Sequence, residues 1–131
     1  MNKTTTISFA PHLYIRKGVT DISFYEKAFA AVELRRFAND DGSIHVAELT
    51  IGGAMFHLHE VTREAQLDPL QLKGTTVEIG LFVPDVDAVM TKAIGAGATL
   101  VSAAQTFDYG YRQGQVMDPF GHTWLIEMVT G

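Results

Sequence analysis

The feature that most constrains this chain is that it repeats itself. Gly53-Ala-Met-Phe-His-Leu-His59 lines up with Gly121-His-Thr-Trp-Leu-Ile-Glu127, and Leu13-Tyr14-Ile15 lines up with Leu81-Phe82-Val83. Such self-similarity marks a duplicated supersecondary unit. Residues that alternate along a strand point to opposite faces. The match therefore sets Phe56 and Leu58 against Trp124 and Ile126 as core-facing pairs, and His57 and His59 against Leu125 and Glu127 on the opposite face.

The segments around the matched pieces fall into the same order. Residues 7–15 form a β-like run interrupted by Pro11, which suits an edge position. Residues 21–32 read as a helix capped by Thr20 or Asp21, with Ile22, Tyr25, Phe29 and Val32 on one face. Strands are expected over 32–37, 45–51 and 54–61, with Gly52-Gly53 as a hairpin turn. The second copy runs as a strand over 76–83, then a helix capped by Asp85 with Val86, Val89, Met90, Ala93 and Ile94 inward and Gly97 at its end. Strands over 98–103, 110–117 and 123–129 complete it. Asp118-Pro119-Phe120-Gly121 carries the residues of a type I turn. The fold class is α+β: two tandem βαβββ modules forming curved half-sheets around a cleft. Module one spans 7–61, a polar connector without strong period covers 62–75, and module two spans 76–131, within one domain of 131 residues. The polar residues 1–6 are expected to fray.

Composition narrows the function. The net charge of −5, with no cluster of Lys or Arg, argues against nucleic acid or an anionic membrane as partner. The absence of cysteine excludes disulfides and thiolate metal sites, leaving His and carboxylates as ligands. No apolar run approaches the roughly 20 residues needed to span a bilayer. The amino terminus lacks an apolar leader segment. A cytoplasmic protein that takes a small-molecule ligand is the expectation.

Ile22-Ser-Phe-Tyr-Glu-Lys-Ala-Phe29, Val83-Pro-Asp-Val-Asp87, Ala96-Gly-Ala98 and Asp118-Pro-Phe-Gly-His122 together resemble the vicinal oxygen chelate superfamily over essentially the whole chain. That group holds glyoxalase, fosfomycin-resistance, bleomycin-binding and extradiol dioxygenase proteins. The resemblance is strongest to glyoxalase-like members with Tyr-Gly-Tyr-Arg-Gln-Gly and Asp-Pro-Phe-Gly-His-x-Trp. It implies a fold shared by enzymes and pure binders. Enzymes of this type hold a divalent metal (Zn, Ni, Mn or Fe) that chelates two neighbouring substrate oxygens and stabilises an enolate-like anion. The implied ligand positions here are Ala10, His57, Glu78 and Leu125, of which two cannot ligate. A set shifted by two residues, His12, His57 or His59, Glu78 and Glu127, would supply two His and two Glu, although two residues displace a side chain by about 6–7 Å. A metal-free site is the other expectation.

The candidate residues follow. Glu78, in an apolar strand, and Glu127 are candidate bases. His12, His57, Glu78 and Glu127 form the candidate metal set, and His57 and His59 are set to line one cavity. Tyr109 and Tyr111 are set to offer an aromatic wall, with one of the two facing the pocket. Arg112 can clamp a carboxylate, phosphonate or enolate oxygen with its planar fork, or be tied to Asp108 or Asp118. Trp124 belongs to the core, His122 to a local backbone bond, and His45 to the surface. Two functions fit. One is a glyoxalase-like protein binding a small oxygenated or aromatic molecule, with metal-dependent lyase, isomerase or dioxygenase chemistry. The other is a metal-free binder that sequesters a drug or toxin. Half-sheets of this kind close within one chain or between two, and a homodimer is expected.

Overall fold

Why the two copies fold alike is visible in the register of their first and last strands. A computed structural model describes residues 6–64 and 66–131; residues 1–5, to which most of the fraying expectation applies, lie outside it. The elements are β1 (His12–Ile15), α1 (Phe24–Phe29), β2 (Val32–Ala38), β3 (Ile44–Ile51), β4 (Ala54–Glu60), α2 (Pro69–Leu72), β5 (Glu78–Phe82), α3 (Val86–Gly95), β6 (Thr99–Phe107), β7 (Tyr111–Met117) and β8 (Thr123–Val129). They form two four-stranded sheets, β1-β4-β3-β2 and β5-β8-β7-β6. In each, the first strand runs parallel to the last and the other pairings are antiparallel. His12 faces His57 and Tyr14 faces His59 across β1 and β4. Gly80 faces Leu125 and Phe82 faces Glu127 across β5 and β8. The repeat read from sequence is thus a repeat of register.

One apolar core serves both modules. Ile15, Tyr25, Leu58, Val86, Trp124 and Ile126 are almost wholly buried within it. Trp124 lies 4.8 Å from Phe29 and 5.7 Å from Phe56 between ring centroids, so module two's last strand packs on module one's helix and sheet. Asp118 ties the same junction with polar contacts. Its carboxylate accepts from the Tyr25 hydroxyl at 2.6 Å, the Trp124 indole N–H at 3.0 Å, and the backbone N–H of Phe120 and His122 at 2.9 and 3.0 Å. Burial, reinforced by the Asp118 charge and hydrogen bond, pushes the Tyr25 hydroxyl well above its ordinary range, so it stays a proton donor. The Phe-Tyr of the first helix and the Asp-Pro-Phe-Gly-His turn are therefore two ends of one buried network.

Several expectations need correction. His122 bonds no local backbone group through its ring; it meets the Tyr14 carbonyl of module one at 2.7 Å. The first strand starts at His12: the Pro11 carbonyl accepts from the His57 N–H at 2.9 Å but proline has no N–H to continue the ladder, and Ile7 and Phe9 stand 99% and 92% exposed. The first helix is shorter than 21–32. Asp21 accepts from the N–H and hydroxyl of Ser23 in a turn that delays the helix, and Ala30 turns left-handed at φ 57° and ends it. The connector holds a one-turn helix, α2, signalled by Asp68-Pro69-Leu70-Gln71. Asp68 accepts from the Leu70 and Gln71 N–H groups while the Gln71 side chain takes the Asp68 N–H. The strand expected over 98–103 extends to Phe107 through two register irregularities, because β7 pairs a stretch that does not alternate. Ile94, expected inward, is exposed. Among the described residues no helix is long and apolar enough to cross a membrane.

Candidate functional site

The alternation that buries Leu13, Ile15, Phe56 and Leu58 turns His12, Tyr14, His57 and His59 to the other face of the first sheet. Lateral pairing brings His12 beside His57, and the strand period brings His59 round beside both. The three rings stack nearly parallel, with centroids 4.5 Å apart for His12 and His57 and 4.7 Å for His12 and His59. One ring nitrogen from each lies within 4.8 Å of the others. The Nε2 of His59 is buried and has no hydrogen-bond partner among the described residues. Burial pushes the His59 imidazole below its ordinary value, and the neighbouring His12, His57 and His45 push it the same way. Met55, two residues before His57 on the same face, sets its sulfur 3.3 Å from the His57 Nε2. The Tyr14 hydroxyl accepts from Gln66 at 2.9 Å.

The equivalent face of the second sheet is built differently. Glu78, Gly80 and Phe82 on β5 stand beside Thr123, Leu125 and Glu127 on β8. Tyr111, Gln113 and Gln115 on β7 stand beyond them. Glu127 is 7% exposed and accepts from the Gln113 amide at 2.8 Å; Glu78 is exposed and accepts from the Gln115 amide. Rings line one side: Phe82 meets Tyr111 edge-on at 6.1 Å, Tyr111 lies 5.8 Å from Tyr109, and Tyr109 stacks on Phe107 at 5.2 Å. Glu78, Gln113, Gln115, Phe107 and Leu125 are among the residues around a cavity of about 400 Å³. Glycine at position 80 leaves room for the carboxylate, since a Cβ there would sit 2.7 Å from Glu127 Oε2. Gly80→Ala is expected to lower Tm by less than about 4 °C, because a flexible side-chain end can yield, and to move the ¹³C resonance of the Glu127 carboxyl. An unmoved resonance would show that the carboxylate does not lie over Gly80.

Several candidate residues come together and others do not. His12, His57 and His59 form one group. Neither Glu78 nor Glu127 belongs to it; each is on the second sheet and held by a glutamine. Tyr109 and Tyr111 stand side by side, which corrects the expectation that one of them faces away: Tyr109 lies in the turn between β6 and β7, which sets its ring beside that of Tyr111. Arg112 is absent from that face and is not tied to Asp108 or Asp118. Its guanidinium makes two bonds to Asp87 on α3, at 2.9 and 2.8 Å, and one to Thr106 at 3.0 Å. Arg112→Ala should cost little stability, because water screens an exposed ion pair, and leave ligand binding intact. Loss of binding in a calorimetric titration would return Arg112 to the site. His45 is on the surface, 3.0 Å from Glu60, and Trp124 is in the core. Phe82, Phe107, Gln113, Gln115 and Met55 were absent from the candidates. Counting by twos from Glu78, Tyr111 and His57 would have found all of them except Phe107, which is placed by the pairing of β6 with β7.

Paired βαβββ modules with a polar face on each sheet define a glyoxalase-fold protein, and the comparisons agree. A family model described as Glyoxalase At5g48480-like C-terminal domain matches residues 79–127. The uncharacterized protein Mb0911c of Mycobacterium bovis is 41% identical over 123 residues, covering 91% of this chain and 81% of its own. The solved structure of the At5g48480 gene product of Arabidopsis thaliana superposes with a TM-score of 0.73 at 26% identity, covering 93% of this chain and 98% of its own. The fosfomycin resistance protein FosX of Mesorhizobium loti shares the fold, with a TM-score of 0.65 at 14% identity over 98% of this chain and 95% of its own. The chain belongs to the same family as Mb0911c, in the glyoxalase-like branch of the vicinal oxygen chelate superfamily.

Proposed function

We propose that the protein binds a small planar aromatic molecule carrying positive charge or hydrogen-bond donors on the polar face of module two. The observation that carries this reading is the pairing of charge and aromatic surface there. Glu78 and Glu127 are each held by a neutral amide, and among the described residues neither meets a Lys or Arg in an ion pair. The amides orient the carboxylates without cancelling their charge. Phe82, Tyr111, Tyr109 and Phe107 offer the π surface on which a flat cation rests. FosX, with the same fold, is named for resistance to a small-molecule antibiotic, and sequestration of a drug or toxin suits a face of this kind.

The divalent-metal chemistry implied by the superfamily does not fit these residues as well. Ala10 and Leu125 cannot ligate, and the shifted set of His12, His57, Glu78 and Glu127 is split between two sheets with both carboxylates taken up by glutamine. Catalysis by Glu78 or Glu127 as a lyase, isomerase or dioxygenase base therefore stands second to binding. Binding is tested by thermal shift with matched cationic, neutral and anionic aromatic probes. The cationic probe should raise Tm most, and Tyr111→Ala or Glu127→Gln should remove the rise. No shift with any probe, or a preference for the anion, would overturn the reading. We also propose a homodimer. The exposed Ile7 and Phe9 give such a pairing apolar surface to cover, and a strictly monomeric mass by light scattering would refute it.

A further inference from the structure

The histidine face of module one is left unused by the binding reading, and it has the composition of a metal site of its own. Met55, His57 and His59 alternate along β4 and so project from one face, and His12 joins them from β1 at the level of His57. This places three imidazoles and a thioether together with no carboxylate in the group. We propose that His12, His57 and His59, with Met55 as a fourth donor, bind a single cuprous ion within one module of one chain.

Three observations support the assignment. One ring nitrogen from each histidine already lies within 4.8 Å of the others. Bonds of about 2.0–2.1 Å to a common ion bring such nitrogens to roughly 3.5 Å apart, so the group must close by only about 1 Å while the rings turn inward. Among the described residues the buried His59 Nε2 has no hydrogen-bond partner, a cost that an ion would remove. The Met55 sulfur lies 3.3 Å from the His57 Nε2, close enough to turn onto an ion held by that nitrogen. The choice of metal follows from the donors. Carboxylate and water oxygens suit Mg²⁺ and Mn²⁺, and imidazole alone suits several transition metals, but a thioether beside imidazoles selects Cu(I). His12 is exposed, which leaves the ion a path from solvent. The donors come from β1 and β4 alone, so the site needs neither Glu78 nor Glu127.

The test is an anaerobic titration of the full chain with Cu(I) in competition with a chromophoric cuprous chelator, and a parallel titration with Zn²⁺. The wild type should withdraw one Cu(I) per chain. His12→Asn and His57→Asn should weaken Cu(I) binding by at least about 100-fold, the upper end of what losing a mere outer-shell partner costs. Met55→Leu should weaken Cu(I) by about 10-fold and leave Zn²⁺ unchanged. Unaltered far-ultraviolet circular dichroism would establish that each variant is folded. On the wild type itself, added Cu(I) should shift the side-chain ¹⁵N resonances of His12, His57 and His59 and spare those of His45 and His122. Failure to withdraw Cu(I), unchanged affinity in the two histidine variants, or shifts confined to His45 or His122 would overturn the site. Equal effects of Met55→Leu on both metals would overturn the assignment to Cu(I). Since only metal is added, these outcomes are separate from those of the aromatic probes.

Discussion

Asp118→Ala is expected to destabilise the protein by roughly 3–5 kcal/mol, because it strips partners from several buried donors at once. The lost acceptor serves the Tyr25 hydroxyl, the Trp124 indole and two backbone N–H groups. Asp118 and Tyr25 are both buried at the junction of the modules, so water cannot readily replace the missing oxygens. In a domain whose total stability is on the order of 5–15 kcal/mol, such a loss takes a large share. It corresponds to a fall in Tm of roughly 10–20 °C at this chain length. The single tryptophan sits in the network, so its emission in a urea titration reports the transition directly. Asp118→Asn keeps one acceptor oxygen and should cost less than the alanine variant. A loss below about 1 kcal/mol for Asp118→Ala, the size expected at an ordinary surface position, would show that the network does not tie the modules together.

Trp124→Ala is the second large effect, at roughly 3–5 kcal/mol, the range for truncating a buried aromatic side chain. The indole is 1% exposed and packs against Phe29, Phe56 and Tyr25. Its removal opens a cavity where module two rests on module one, and collapse into it is opposed by sheet on one side and helix on the other. Trp124→Phe keeps most of the volume and loses the bond to Asp118, so it should fall between wild type and alanine. Unfolding followed by far-ultraviolet circular dichroism measures both. The double variant with Asp118→Ala should cost less than the two single losses added, because they share the indole bond, with a coupling on the order of 0.5–3 kcal/mol. Strict additivity would mean that the two side chains act independently.

Much of this junction was legible in the sequence, but not the bonds that close it. Alternation alone assigned Phe56, Leu58, Trp124 and Ile126 to the core, because a strand offers only two faces and the apolar residues occupy one. The same rule put His57 and His59 together. It could have placed Met55 with them, but an apolar thioether in a strand reads as core. Arg112 shows the opposite error: it lies out of phase with Tyr111 and Gln113, so its side chain falls on the helix side, where Asp87 meets it. The bond between Tyr25 and Asp118, 93 residues apart, has no local signature, since it exists only after two modules have packed. Nor does the short extent of the first strand: Ile7 and Phe9 have strand character, but among the described residues no strand pairs with them. For the site, the sequence supplied the right face and part of the residue set. It could not show that imidazoles and carboxylates would end on separate sheets, because ligand convergence depends on how the modules are placed.

The shared register has a consequence for engineering. His12 corresponds to Gly80, Tyr14 to Phe82, His57 to Leu125 and His59 to Glu127, all at one constant offset along the chain. Each position on one polar face thus has a counterpart at the same backbone register, with paired residues as the unit of exchange, since a Cβ at position 80 meets Glu127 unless residue 127 changes with it. Exchanging residues between counterparts draws on a built-in library of tolerated substitutions, and it allows chemistry to be transplanted from one half of the molecule to the other without redesigning the scaffold.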